Sequence, residues 1–270
     1  MKKIMISIGL CLVGFVTVAQ NVDEVNNAAY VNKRGVYLLP QAGDFALGIN
    51  ASPLLGYLGS FFSNSGNEAP KLSSQTFYGK YFLEDNRAIR AKLKLDLSNA
   101  VYKGFDNTTE SDIQRESKSS VGLGIGYEFR RGSGRVQGFY GGEFLLGYGG
   151  KKDKYEYDEK MSEGDPDRIV KLKHGKRFSF GPGAFAGVEY FFAPQLSLGC
   201  EVGLGLIFSA TGQSQTITET WDSDNDRSEN QTEKSKTNDW NLKIKTDTGG
   251  SIFGDNATYS FVSIFLMFHF

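Results

Sequence analysis

Two cysteines, two histidines and six prolines are all that 270 residues hold of these types. One cysteine, Cys11, lies in a leader-like start, so the processed chain keeps Cys200 alone and no intramolecular disulfide forms. Two histidines leave little material for a metal centre or a histidine base. Neither sign of charge dominates: 30 Lys and Arg face 31 Asp and Glu, which gives no footprint for a nucleic-acid partner. Beyond the first residues, no apolar run approaches the roughly 20 residues that a membrane helix needs. A membrane protein of this composition must cross with strands.

The start reads as a signal peptide. Lys2 and Lys3 precede the apolar stretch Ile4 to Val16, and Thr17-Val18-Ala19 is a small-residue cleavage site, giving a mature chain from Gln20. Leu10 before Cys11 does not suit lipoprotein processing. The chain divides into the signal peptide, 1–19, an N-terminal segment, 20–42, expected on the periplasmic side, and a β-domain, 43–270. The segment 20–42 reads as a tail, a short plug or an extra strand.

From Gly43 on, apolar and polar residues alternate at period two between turn signals. Eight strands are expected: 44–51, 75–83, 87–97, 119–130, 135–148, 177–192, 195–209 and 259–270. Ser52-Pro53 reads as a helix start, with Leu54, Leu58, Phe61 and Phe62 at helical spacing. Three connections are very short: Asp85-Asn86, Gly132-Ser133-Gly134 and Ala193-Pro194. They alternate with four long ones. That alternation predicts an all-β transmembrane antiparallel barrel, with short periplasmic turns and long extracellular loops. Residues 216–221 and 240–245 alternate enough to form a further hairpin, which would make the barrel ten-stranded.

The last strand carries the strongest signal. Val262, Ile264, Leu266, Phe268 and Phe270 share one face, against Ser263, Phe265, Met267 and His269. An apolar free edge of this kind invites aggregation in water, but it suits a closed ring facing lipid. It resembles the C-terminal assembly signal of Gram-negative outer-membrane proteins, with Phe268 and Phe270 as its aromatic end. From about Gly43 to Phe270 the chain resembles the small eight-stranded outer-membrane barrels, particularly the porin-like barrels of Bacteroidota. The resemblance implies an outer-membrane location, outer-membrane lipid and the barrel-assembly machinery as partners, and no catalytic residue.

Period-two geometry directs a charged set inward: Lys80, Arg90, Lys92 and Lys94 against Glu128, Glu143, Glu189 and Glu201, with inward glycines leaving room for them. An interior just wide enough for side chains requires such charges to pair. The expected reading is a salt-bridge network filling the lumen of a structural or surface-interaction barrel, whose long loops meet an envelope or extracellular partner. The alternative is a narrow channel for small or apolar solutes. A membrane-embedded lipid or peptide hydrolase is more distant: His174 lies in a lysine-rich loop, His269 faces inward near the C-terminus, and no Ser or Asp stands at triad spacing. Asp222-Ser223-Asp224-Asn225-Asp226-Arg227 with Glu233 resembles an EF-hand loop in its acids. It has Arg227 where the sharp turn needs glycine, so a solvated acidic loop is expected. No cofactor and no metal site are expected, and no enzyme activity.

Overall fold

The computed structural model describes residues 37–51, 74–104, 112–132, 134–225, 227–235, 239–245 and 263–270. The signal peptide, most of the N-terminal segment and the helix expected after Ser52 lie outside them. The described residues form one antiparallel sheet of twelve strands: β1 (Phe45–Asn50), β2 (Ser74–Glu84), β3 (Arg87–Lys103), β4 (Ile113–Arg131), β5 (Val136–Glu156), β6 (Arg168–Lys173), β7 (Arg177–Ala193), β8 (Leu196–Thr211), β9 (Gln215–Asp222), β10 (Arg227–Lys234), β11 (Asp239–Lys245) and β12 (Ser263–His269).

The pairings run β1–β2–β3–β4–β5–β7–β8–β12 and return to β1, so the sheet closes into a barrel. The last bonds of the ring join Phe270 and Phe45, each amide donating to the other's carbonyl at 2.9 and 2.8 Å. Closure removes the free edge that so apolar a C-terminal strand would otherwise present.

Side chains sort as the alternation dictates. On β4, Val121, Leu123, Ile125, Tyr127 and Phe129 point out and Glu128 and Arg130 point in. Rings gather at both ends of the outward belt. Phe45 with Tyr81, Phe129 with Tyr140, and Phe268 with Phe270 pack at the short-turn end. At the other end are Tyr148, Phe178 and Phe180, the last stacked on Phe208 at 5.6 Å. From Phe129 to Val121 a tilted strand rises about 20 Å.

The short-turn end is floored. Leu38 and Leu39 pack on the fully buried Phe191, while Phe82, Ala88, Ala46 and Met267 close the layer above. The described part of the N-terminal segment is thus tucked under the ring, where the Ala42 amide bonds Asp85 Oδ1 at 3.0 Å. Gln195 takes a positive φ of 67° in the turn between β7 and β8, which lets that connection reverse within two residues.

The opposite end departs most from expectation. β3, β4 and β5 continue past the apolar belt to Lys103, Ile113 and Glu156, through stretches assigned to loops from the sequence. Residues 216–221 and 240–245 do not pair with each other. β9 pairs with β6 and β10 instead, and β11 extends the ring by pairing with Gly205 to Thr211 of β8. Outside the belt both faces of a strand meet polar surroundings, so hydropathy alternation fades while backbone pairing continues.

Candidate functional site: the charged lumen

Three neighbouring strands supply the cations. Lys80 comes from β2, Arg90 and Lys92 from β3, and Arg130 from the end of β4. Glu128 (β4), Glu143 (β5), Glu189 (β7) and Glu201 (β8) supply the carboxylates. Cross-strand register makes room for them: Arg90 stands opposite Gly126 and Lys92 opposite Gly124, so each long side chain crosses the lumen above a residue without one.

The contacts interlock. Lys80 Nζ donates to Glu128 at 3.0 Å and Glu189 at 3.1 Å. Lys92 Nζ donates to Glu143 at 2.9 Å and Glu201 at 2.7 Å. Arg130 lies 2.9 Å from Glu128 and 2.9 Å from Glu189, and its Nε donates to Gln137 at 3.0 Å. Arg90 reaches Glu201 at 2.6 Å, Glu128 at 3.6 Å and Glu143 at 3.8 Å. Every carboxylate thus meets at least two cations. All eight groups are buried, with Glu128 and Glu189 at 0% exposure.

Each cation also lies over a ring. Arg90 sits 3.7 Å above the centre of Phe185, Lys80 is 4.7 Å from that of Phe139, and Arg130 lies between Phe82 and Phe191 at 5.3 and 5.5 Å. The rings fit because glycines face them: a Cβ at Gly187 would strike Phe139, and one at Gly199 would strike Phe265. The negative ring faces add to the carboxylates in offsetting the cost of desolvating ammonium and guanidinium groups.

Of the residues expected in this network, Lys80, Arg90, Lys92, Glu128, Glu143, Glu189 and Glu201 come together. Lys94 is on the same face of β3, half-buried and one inward position beyond Lys92. The cation missing from the sequence reading is Arg130. Its signal was present, since it follows Glu128 by two residues and so shares its face. Alternation set Phe265 opposite the outward face, but the inward Phe139 and Phe185 were missed, because an aromatic residue in an alternating strand reads as lipid-facing.

Below the network, His269 Nε2 is 2.9 Å from Ser197 Oγ and 3.3 Å from Glu189 Oε1, and Ser197 Oγ itself donates to that same Glu189 oxygen. Serine, histidine and carboxylate meet here, but one imidazole nitrogen faces both partners, so the ring does not relay between them. Phe82 and Phe191 cover the cluster. It reads as packing at the barrel floor. His174, at the far end, bonds the buried Asp153 through Nε2 at 3.0 Å.

The acidic loop is a tight hairpin end. Asp222 accepts from the Asp224 amide at 3.0 Å and from Asn225 at 2.6 Å. Glu233 pairs in register with Thr216, far along the hairpin from Asp222, about 20 Å at strand rise. The two ends of the EF-hand-like spacing are therefore held apart. Among the described residues no group of three His, Cys, Asp or Glu converges as a metal shell.

No protein-family model matches the sequence, and no curated protein matches it. A solved structure to which the chain is similar is the outer membrane protein OprG from Pseudomonas aeruginosa, at 8% identity and a TM-score of 0.34, over 86% of this chain and 98% of that one.

Proposed function

We propose that this protein is an eight-stranded outer-membrane barrel, with short periplasmic turns and long extracellular hairpins, whose lumen is closed by its own ionic network. Its role is structural or surface-interacting. The observation that carries this reading is the balance of four buried cations against four buried carboxylates, stacked on rings above a hydrophobic floor. Selective transport calls for an unbalanced or water-filled path, and a ring of this size leaves little bore once such side chains fill it. The outward belt, with aromatic rings at both ends and a height near the roughly 25 Å apolar band of such barrels, supports the membrane setting. The resemblance to the porin-like barrels of Bacteroidota agrees with it. Phe268 and Phe270, outward at the closing seam, are positioned to be read by the assembly machinery.

The test has two readouts. The full chain in outer-membrane fractions is expected to migrate faster unheated than boiled, and proteoliposomes carrying it are expected to retain small sugars and amino acids. Rapid solute efflux would favour the channel reading, and a chain recovered in the soluble fraction would end the membrane one. Phe268→Asp with Phe270→Asp is expected to abolish the heat-modifiable form. The local cost of such charges is below the roughly 2–4 kcal/mol of a midplane charge, so a much larger loss of assembled protein identifies recognition rather than stability.

A further inference from the structure

Just beyond the outward belt, β5 and β6 oppose lysine with lysine. Lys152 stands in register with Lys173, and Lys154 with Lys171. Alternation from Tyr148 through Gly150 to Lys152 and Lys154 keeps this ladder on the outward side of β5, directly above the aromatic end of the belt. Lys176 begins the column, with Nζ 5.7 Å from the Tyr148 ring centre.

Like charges directly opposite one another destabilise a strand pair. Here the repulsion is left largely uncompensated. Among the described residues Lys152 and Lys171 make no ion pair, and Lys173 donates to the neutral Gln215 at 3.1 Å. Only Lys154 has a carboxylate, Glu156 at 2.7 Å, which Arg115 shares at 3.3 Å. Lys152 and Lys173 together push the Lys171 ammonium below its ordinary value, as crowded unneutralised charge does. Solvation alone would be served as well by opposite signs, as with Arg227 and Glu229 on β10, beyond β9.

We infer that the outward lysine ladder of β5 and β6 is a docking surface for phosphorylated lipid headgroups of the membrane that surrounds the barrel. This rests on the membrane reading above, since that reading sets the ladder at headgroup height. Paired ammonium groups above an aromatic belt suit phosphate monoesters: the phosphates relieve the repulsion, and the ring end of the belt meets the acyl chains. A basic side chain near an anionic surface strengthens binding about fivefold, so four give a large effect even after losses from non-additivity.

The full chain, purified in neutral detergent, is titrated with diphosphoryl lipid A and with its dephosphorylated form. The parent is expected to prefer the diphosphoryl form at least tenfold, with the preference shrinking as salt rises. K152Q/K154Q/K171Q/K173Q is expected to lose that preference at least tenfold while keeping heat-modifiable mobility, and the corresponding lysine-to-arginine variant is expected to retain it. Equal binding of both lipid forms, or a glutamine variant that keeps the parent's preference, overturns the proposal. So does displacement of the lipid by micromolar pyrophosphate, which marks a free-anion site, or by polygalacturonate, which marks an acidic polysaccharide. Heat-modifiable mobility without phosphate preference overturns the docking surface alone. Loss of that mobility in the parent overturns the membrane reading and the ladder with it.

Discussion

Lys92 and Lys171 are the same side chain in opposite settings. Lys92 spans the lumen, meets Glu143 and Glu201, and lies in a neutral cluster from which solvent is excluded. Lys171 projects outward beyond the belt, opposite Lys154 and close to Lys152 and Lys173. In the first setting each charge is affordable only because its partners are fixed around it. In the second, water and salt screen the repulsion, and little is lost by leaving it in place. Charge balance, rather than charge content, distinguishes the part of the molecule that holds itself shut from the part that faces other molecules.

The contrast is broken most strongly from inside. Glu201→Ala removes a carboxylate shared by Arg90 and Lys92, leaves both to share Glu143, and puts one uncompensated positive charge in a dry site. It is expected to cost about 3–5 kcal/mol, read as a shift in the urea midpoint of the folded, heat-modifiable form. A loss below about 1 kcal/mol would mean that the lumen is wet.

Outside, the expected sign is reversed. Lys171→Gln relieves like-charge repulsion across β5 and β6 and is expected to shift the midpoint only slightly, toward stabilisation at low salt. Measuring the same midpoint at low and high salt checks this, since the gain should fade on screening.

The smallest effect concerns the end of the sheet formed by β6, β9 and β10. Burial pushes the Glu219 carboxyl up, but hydrogen bonds from Arg168 and Ser228 and the Arg168 charge outweigh it and hold the group below its ordinary 4.5. The Arg168 Nε bond to Glu219 is 2.8 Å and joins β6 to β9. A depressed carboxylate contributes its stability above the unfolded value, and that contribution disappears as pH falls through the lower folded value. Amide exchange at Ile217 and Thr218 is therefore expected to quicken selectively below about pH 4.5, while the barrel strands stay protected. Uniform exchange across both regions would contradict it.

These comparisons also show which features sequence can reveal. Inside the belt each strand has water-hating and space-limited faces, so Leu198, Glu201 and Phe268 take sides that period two assigns correctly. The inward charges were legible because nothing but pairing tolerates them there. Phe139 and Phe185 were harder than Phe265, which alternation already set opposite the outward face. All three rings are seated by glycines on neighbouring strands, at Gly187, Gly141 and Gly199, and that complementarity exists only after register is set. Beyond the belt the cue vanishes. β9 and β10 have polar residues on both faces, and the pairing of β9 with β6 depends on contacts distant in sequence. The lysine ladder arises in the same way: Lys152 and Lys173 are remote until β5 and β6 meet.

The account rests on a lumen closed by matched charges, and single-channel recording in a planar bilayer tests it most directly. The parent protein is expected to give no steady openings, and Glu143→Ala, which strips a carboxylate from Lys92 and Arg90, is expected to give small openings where the parent gives none. A parent that conducts steadily, or a Glu143→Ala variant as silent and as stable as the parent, would contradict it.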